Sequence, residues 1–338
     1  MFSRTKSPQL RSARHETILA AVLIAEIVIF HLLGPRFATR DNAFDILRHS
    51  VEIGLLSIAI TPIILMGAID LSVGSLLGLC AIVFGKLWRD GGLPPFAAAL
   101  CTIAAGALAG AINGTLVTRL RMPSLIITLG TYSLFRGLAE AVTRGVDTFT
   151  GFPRTLLFLG QKEWLGLPAQ LPAFLAVIVV IWLLVHRTTF GRACRAIGFS
   201  PEGARFAGLP VTRHTILAFM LAGTVSALAA IIYTARVGQA KADAGAGYEL
   251  FAITAVVLGG TSIFGGVGSV HGTLLGVAAI AVLNNGLVHA RYPREIAGML
   301  TGALLIMALI ASTLPKFLRR PGGGGDAAST SPNLSSSS

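Results

Sequence analysis

Charge is scarce in this chain: 12% of its 338 residues are Asp, Glu, Lys or Arg, against about 25% in an average soluble domain. That scarcity excludes a water-soluble globule, because 27 basic and 15 acidic side chains cannot cover a chain that is 54% apolar. Cysteine is nearly absent. Cys80, Cys101 and Cys194 are odd in number and widely spaced, which excludes both a disulfide framework and a zinc-ligand spacing. Lysine is rare too, and none of Lys6, Lys86, Lys162, Lys241 and Lys316 joins a glycine-rich loop to a following Ser or Thr. A nucleotide-binding loop of the Walker kind is therefore excluded. The formal charge of +12 is spread thinly and without an aromatic-lined stripe, so it does not describe a nucleic-acid surface. It suits loops that meet anionic lipid head groups.

What the chain has in quantity is apolar runs near the roughly 20 residues that cross the hydrocarbon. They fall at Thr17–Leu33, Ile53–Ile69, Gly74–Trp88, Phe96–Val117 and Leu125–Val142. After a more polar interval they resume at Pro172–Val185, Thr215–Thr234, Leu250–Leu258, His271–Val288 and Ile296–Leu314. The pattern predicts an all-α polytopic membrane protein of about ten transmembrane helices, some of them broken. The third run is short, and so is the eighth, which the glycine-rich Gly259–Gly268 follows; such a break at membrane depth is tolerable only where protein or a wet cavity surrounds it. Residues 1–16 read as a cytoplasmic segment ahead of a retained anchor helix, 17–320 as the membrane domain, and the Gly- and Ser-rich 321–338 as a disordered tail. Arg187, Arg192, Arg195, Arg205 and Arg213 crowd one connection, and Arg4, Lys6, Arg11 and Arg14 precede the first run. Both groups are expected to face the cytoplasm, and with an even number of spans so does the C-terminus. A short echo, Val73-Gly74-Ser75-Leu76-Leu77-Gly78 and Val267-Gly268-Ser269-Val270-His271-Gly272, reads either as a half-repeat or as two similar helix starts.

Polar residues inside apolar runs are the candidates for chemistry. Asp70 and Ser72 interrupt one stretch, where they either cap the following helix or touch a polar solute. Asn113, Thr128, Thr131, Asn284 and Asn285 present amides and hydroxyls that suit a neutral polyol or join helices to one another. Arg136 and Glu140, four apart, are expected to neutralise each other on one helix face. Glu26 and His31 leave open a proton-coupled carrier; Ser269 with His271 is the one hint of a nucleophile and base. No catalytic set and no metal cluster is evident. In the connection after the sixth run, Ser200, Pro201 and Glu202 signal a helix start and Gly208 its stop, which predicts a short cytoplasmic helix with Ala204 and Phe206 partly turned outward.

At these residues the chain resembles the inner-membrane permeases of bacterial ABC importers of the ribose, xylose and rhamnose type, a group that includes autoinducer-2 import permeases. The resemblance spans Val51 to Leu314. It is carried by Gly67–Ser75, by Asn113-Gly114 with Pro123–Thr131 and Arg136-Gly137, by Phe190–Gly208, and by Gly259–Ser262 with Asn284-Asn285-Gly286. It implies a transport subunit of a bacterial inner membrane that makes no bond itself and binds no cofactor. ATP and Mg are then held on a partner ATPase, a periplasmic sugar-binding protein delivers the sugar substrate, and a second permease subunit completes a homo- or heterodimer. The resemblance also implies an ATPase-coupling loop at Gly191, Arg192, Ala196, Gly198, Glu202, Ala204 and Gly208. The usual Gly-Asn is replaced by Phe199-Ser200, and the usual Ala by Gly203. The expected solute pathway comprises Asp70, Ser72, Asn113, Thr128, Asn284 and Asn285.

Overall fold

A computed structural model describes residues 8–34 and 37–317. Among them are thirteen α-helices: α1 (Pro8–Leu33), α2 (Arg40–Leu65), α3 (Val73–Arg89), α4 (Pro95–Leu120), α5 (Ser124–Val142), α6 (Arg154–Gln161), α7 (Leu171–Arg187), α8 (Thr189–Phe199), α9 (Pro201–Phe206), α10 (Val211–Val237), α11 (Tyr248–Leu258), α12 (Val270–His289) and α13 (Arg294–Phe317). Four two-residue strands form two antiparallel pairs, β1 (Phe149–Thr150) with β4 (Gln239–Ala240) and β2 (Glu163–Trp164) with β3 (Leu167–Pro168). The 321–338 segment lies outside the described residues, and α1 begins ahead of the boundary drawn at residue 16.

The core is built around α2. Every residue from Gly54 to Leu65 is buried, as expected of a helix that is apolar on all sides, and α7, α10, α11 and α12 surround it. The α4–α10 contact is the most extensive, and it depends on missing side chains. A Cβ on Gly110 would stand 2.1 Å from the Phe219 carbonyl oxygen, and one on Gly223 2.1 Å from that of Gly106. Backbones this close gain dispersion contacts that do not require water to drive them together. The outer faces of α1, α4, α5 and α7 expose Ile24, Leu32, Phe96, Leu108, Leu129, Leu134, Leu175 and Val179, a belt that suits hydrocarbon.

Nine of the ten apolar runs lie within helices, and the second runs four residues past the end of α2, yet only six helices among the described residues, α1, α2, α4, α5, α10 and α12, are long and apolar enough to cross a membrane. The count becomes seven if α7 and α8, bent by 64° at their junction, are one broken span. By length and composition the fold thus accounts for six or seven of the expected ten or so crossings, because α3 has 17 residues, α11 has 11, and α13 offers only the shorter apolar stretch Ile296–Ala308 among the described residues. The two echoed segments differ in register. Val73-Gly74-Ser75 lies inside α3, whereas Val267-Gly268-Ser269 precedes α12, with Ser269 as its N-cap accepting from Gly272 N at 3.0 Å.

Candidate functional site

The first polar cluster forms where α2 breaks before α3. Asp70 Oδ1 accepts from both the backbone N (2.9 Å) and the hydroxyl (2.7 Å) of Ser72, and Ser72 Oγ accepts from Asn113 Nδ2 of α4 at 2.8 Å. Thr128 Oγ1 of α5 donates to the Ile69 carbonyl at 3.2 Å, and Ser124 Oγ accepts from Ile69 N. Asp70, Ser72, Asn113 and Thr128 are all buried. The structure therefore brings four of the six expected pathway residues together, with Asp70 tying down the helix start through the N-cap residue. Thr131 bonds within its own helix, to Thr128 O. Replacing Asn113 with Leu should remove the interhelical donor and cost about 1–2 kcal/mol, read as an earlier midpoint in denaturant titration of the purified protein; an unchanged midpoint would show the amide to be idle.

Asn284 and Asn285 sit elsewhere. They are half-buried on α12 and line a cavity of about 750 Å³, together with Asp45 of α2, Tyr233 and Arg236 of α10 and Tyr248 of α11. Asn285 Nδ2 donates to Asn42 Oδ1 at 2.8 Å. The sequence does not separate these amides from Asn113, since all are Asn within apolar runs; position along the packed helices does.

At the other end of α10 lies the arginine-rich connection. Ser200 Oγ accepts from Gly203 N at 3.0 Å, Pro201 opens α9 and Gly208 ends it in a left-handed conformation (φ +80), as the sequence predicts. One detail is corrected. Ala204 is buried, 5% exposed, and turns inward, while Phe206 is 93% exposed; neighbours on a short helix cannot share a face at a spacing of two. Gly191 is buried in α8, Arg192 and Glu202 are exposed, and Ala196 is half-buried. Gly198 is pressed between the end of α2 and the glycine-rich loop: a Cβ there would stand 2.0 Å from Leu65 O and 2.3 Å from Gly266 N. Gly266 N in turn donates to Leu65 O at 2.8 Å. The α8–α9 elbow is thus seated on α2 and on residues 259–268 by backbone contact, with little room to slide independently.

Residues 42–309 match the family described as the permease component of branched-chain amino acid transport systems. The chain belongs to this family. It is a permease component of the ABC type, a multi-pass membrane protein and not itself an enzyme. The permease is 39% identical to the autoinducer 2 import system permease protein LsrD of Photorhabdus laumondii over 304 residues, covering 88% of this chain and 91% of that protein. Against LsrD of Escherichia coli K12 the identity is 38%, covering 88% and 92%. A metal-chelate type ABC transporter in an inward-facing conformation shares the fold, with a TM-score of 0.50 and 17% identity, over 89% of the permease and 99% of that chain.

Two features of the permease depart from the residues singled out in the sequence. Arg136 does not pair with Glu140. It reaches away to the carbonyls of Ala242 and Ala244, in the segment before α11, where all three lie against Gly78 of α3, while Glu140 is exposed. Glu52, wholly buried, accepts from Arg236 Nε at 2.7 Å and joins α2 to α10; both stand just outside an apolar run, where a charge reads as interfacial. The hydrolase hint also dissolves. Ser269 Oγ donates to Glu16 at 2.6 Å, and His271 Nε2 accepts from Trp182, so hydroxyl and imidazole each serve a different helix.

Proposed function

We propose that this permease component imports autoinducer-2, or a small sugar-like solute of similar polarity, across the bacterial inner membrane on ATP hydrolysed by a partner ATPase. The observation that carries this reading is the 38–39% identity, over nearly the whole of both chains, to permeases of autoinducer 2 import systems. The family description names amino acids, but the amides and hydroxyls near α3 and α12 are neutral donors and acceptors that suit hydroxyl groups. In this reading Asp70, Ser72, Asn113, Thr128, Asn284 and Asn285 flank the solute's route. The chain needs no cofactor of its own, ATP and Mg being bound by the ATPase, and a periplasmic sugar-binding protein supplies the cargo. The proton-coupled carrier is the weaker reading, since relatives and fold neighbour alike are components of importers or ABC transporters.

The topology we propose has about ten crossings, with α3, α11 and α13 completing the set. Residues 1–16 and the C-terminus lie in the cytoplasm, and the membrane domain begins at residue 17. The basic α8–α9 elbow supports this orientation, as does the placement of His15 and Glu16 at the same end, where they bond to Leu258 O and Ser269. A second permease subunit finds close-approach surfaces at Gly130 and Gly137 of α5 and at Gly298 and Gly302 of α13, where a Cβ would meet only open space.

Coupling would run through Gly191, Arg192, Ala196, Gly198, Glu202, Ala204 and Gly208, with Phe206 as the side chain offered to the ATPase. ATP binding shifts the permease only if the ATPase dimer fits one arrangement of that elbow better than the other. Two measurements test the proposal. A strain lacking this chain should no longer clear autoinducer-2 from its medium, and the wild-type gene should restore clearance; undiminished clearance in the deletion strain would sink the assignment. Phe206→Asp should insert normally yet support no uptake, checked by membrane immunoblot and radiolabelled solute, and full uptake would remove this helix from the coupling route.

A further inference from the structure

We propose that the cavity between α2, α10, α11 and α12 is a binding vestibule in the permease itself, shaped for a neutral polyhydroxylated molecule. The inference deepens the importer reading and rests on it, adding where in this chain the cargo is held and which side chains hold it. Its position fits. Tyr233 and Arg236 occupy the last turns of α10, a 27-residue helix whose first turn follows α9. At 1.5 Å per residue the cavity therefore lies about 35–40 Å from the elbow, near the face where a solute would arrive if the elbow meets the ATPase. A volume of about 750 Å³ falls inside the range of small-molecule sites, roughly 300–1,000 Å³.

The lining selects the class of ligand. The Tyr233 and Tyr248 rings meet edge to face with centroids 6.4 Å apart, giving flat walls for the C–H faces of a polyol with phenol groups at the border. The guanidinium among the described lining residues, Arg236, is already neutralised by Glu52 at 2.7 Å, and Asp45 adds a carboxylate. An anion would thus meet a guanidinium already paired and one added negative charge, with His49 and His289 the remaining basic side chains of the lining. Asn285 spends its Nδ2 on Asn42, while its Oδ1 is buried with no partner among the described residues. A hydroxyl supplies the missing donor and can also accept from a neighbouring amide such as Asn284. A hydrocarbon chain satisfies neither.

The full-length permease in lipid nanodiscs, probed with tritiated autoinducer-2 and tritiated D-ribose by equilibrium dialysis, provides the test, run beside uptake by the complete importer in cells. Saturable binding of at least one probe is expected. Tyr248→Ala and Asn285→Leu should each weaken it by about tenfold, the equivalent of one well-made contact, while the lipid-facing Leu129→Ala stays near the wild type. Should either variant fail to insert, Asn284→Ala takes its place: loss of the neighbouring amide from the lining is expected to weaken binding by about tenfold. Absence of saturable binding to the native permease overturns the vestibule, and so does binding indifferent to these variants or a lipid chain that neither probe displaces. If uptake by the importer excludes both probes, the importer assignment fails instead, and the two failures are read in separate assays.

Discussion

Arg236→Met should destabilise the permease by about 3–5 kcal/mol, because it leaves the Glu52 carboxylate buried beside α10 with its counter-charge gone. Glu52 is fully buried in the middle of the core, Arg236 is 15% exposed, and their contact at 2.7 Å joins α2 to α10. The second carboxylate oxygen, Oε2, already lacks a partner among the described residues, so no spare contact softens the loss. The double variant Glu52→Leu with Arg236→Met should recover most of the stability, since two apolar side chains of similar volume replace a pair whose desolvation nearly cancels its attraction. A double-mutant cycle on denaturation midpoints measures this directly. If the single variant matches the wild type, the pair contributes little to holding the two helices together.

Gly198→Val should abolish transport. The last turn of α8 lies against Leu65 O and Gly266 N at distances that no Cβ tolerates, and both neighbours are backbone at the ends of packed segments. A valine must therefore push the elbow off α2, at a cost of about 3 kcal/mol or more, the upper end of what overpacking does in a well-filled interior. Gly198→Ala should show the same defect in milder form. Purified protein would melt earlier, and uptake normalised to inserted protein should fall by on the order of tenfold or more, one decade per about 1.4 kcal/mol. Gly208, by contrast, faces open space and is constrained only by its left-handed backbone (φ +80). A substitution there strains the turn but leaves the α8–α2 seat intact, so the pair of variants separates seating of the elbow from the ending of α9.

Several features of the fold were legible because they follow from local chemistry. The capping signals Ser200, Pro201 and Gly208 gave α9 its limits, since the hydroxyl, the fixed φ of proline and the left-handed glycine act within a few residues of chain. Asp70 and Ser72 were recognisable as a polar break because an acid in an apolar stretch needs partners nearby. The turning of Ala204 inward was not legible: on so short a helix, the choice of buried face belongs to whatever it packs against. Arg136 illustrates the same limit. Spacing offered Glu140 as a partner, but two carbonyls more than a hundred residues along the chain lay within reach of the guanidinium.

By itself the sequence determined that this is a helical membrane protein without a loop of the Walker kind, because apolar length, charge scarcity and the missing Walker lysine are properties of composition and order that no folding can alter. Only the tertiary structure decided that Asn113 joins Ser72 while Asn285 lines a separate cavity. It also decided that Glu52 and Arg236 neutralise each other across 184 positions. The physical reason is that burial and pairing depend on which helix faces meet, and at Gly110, Gly198 and Gly223 those meetings are set by backbone approaching backbone, a constraint that acts in space and leaves only a glycine in the sequence.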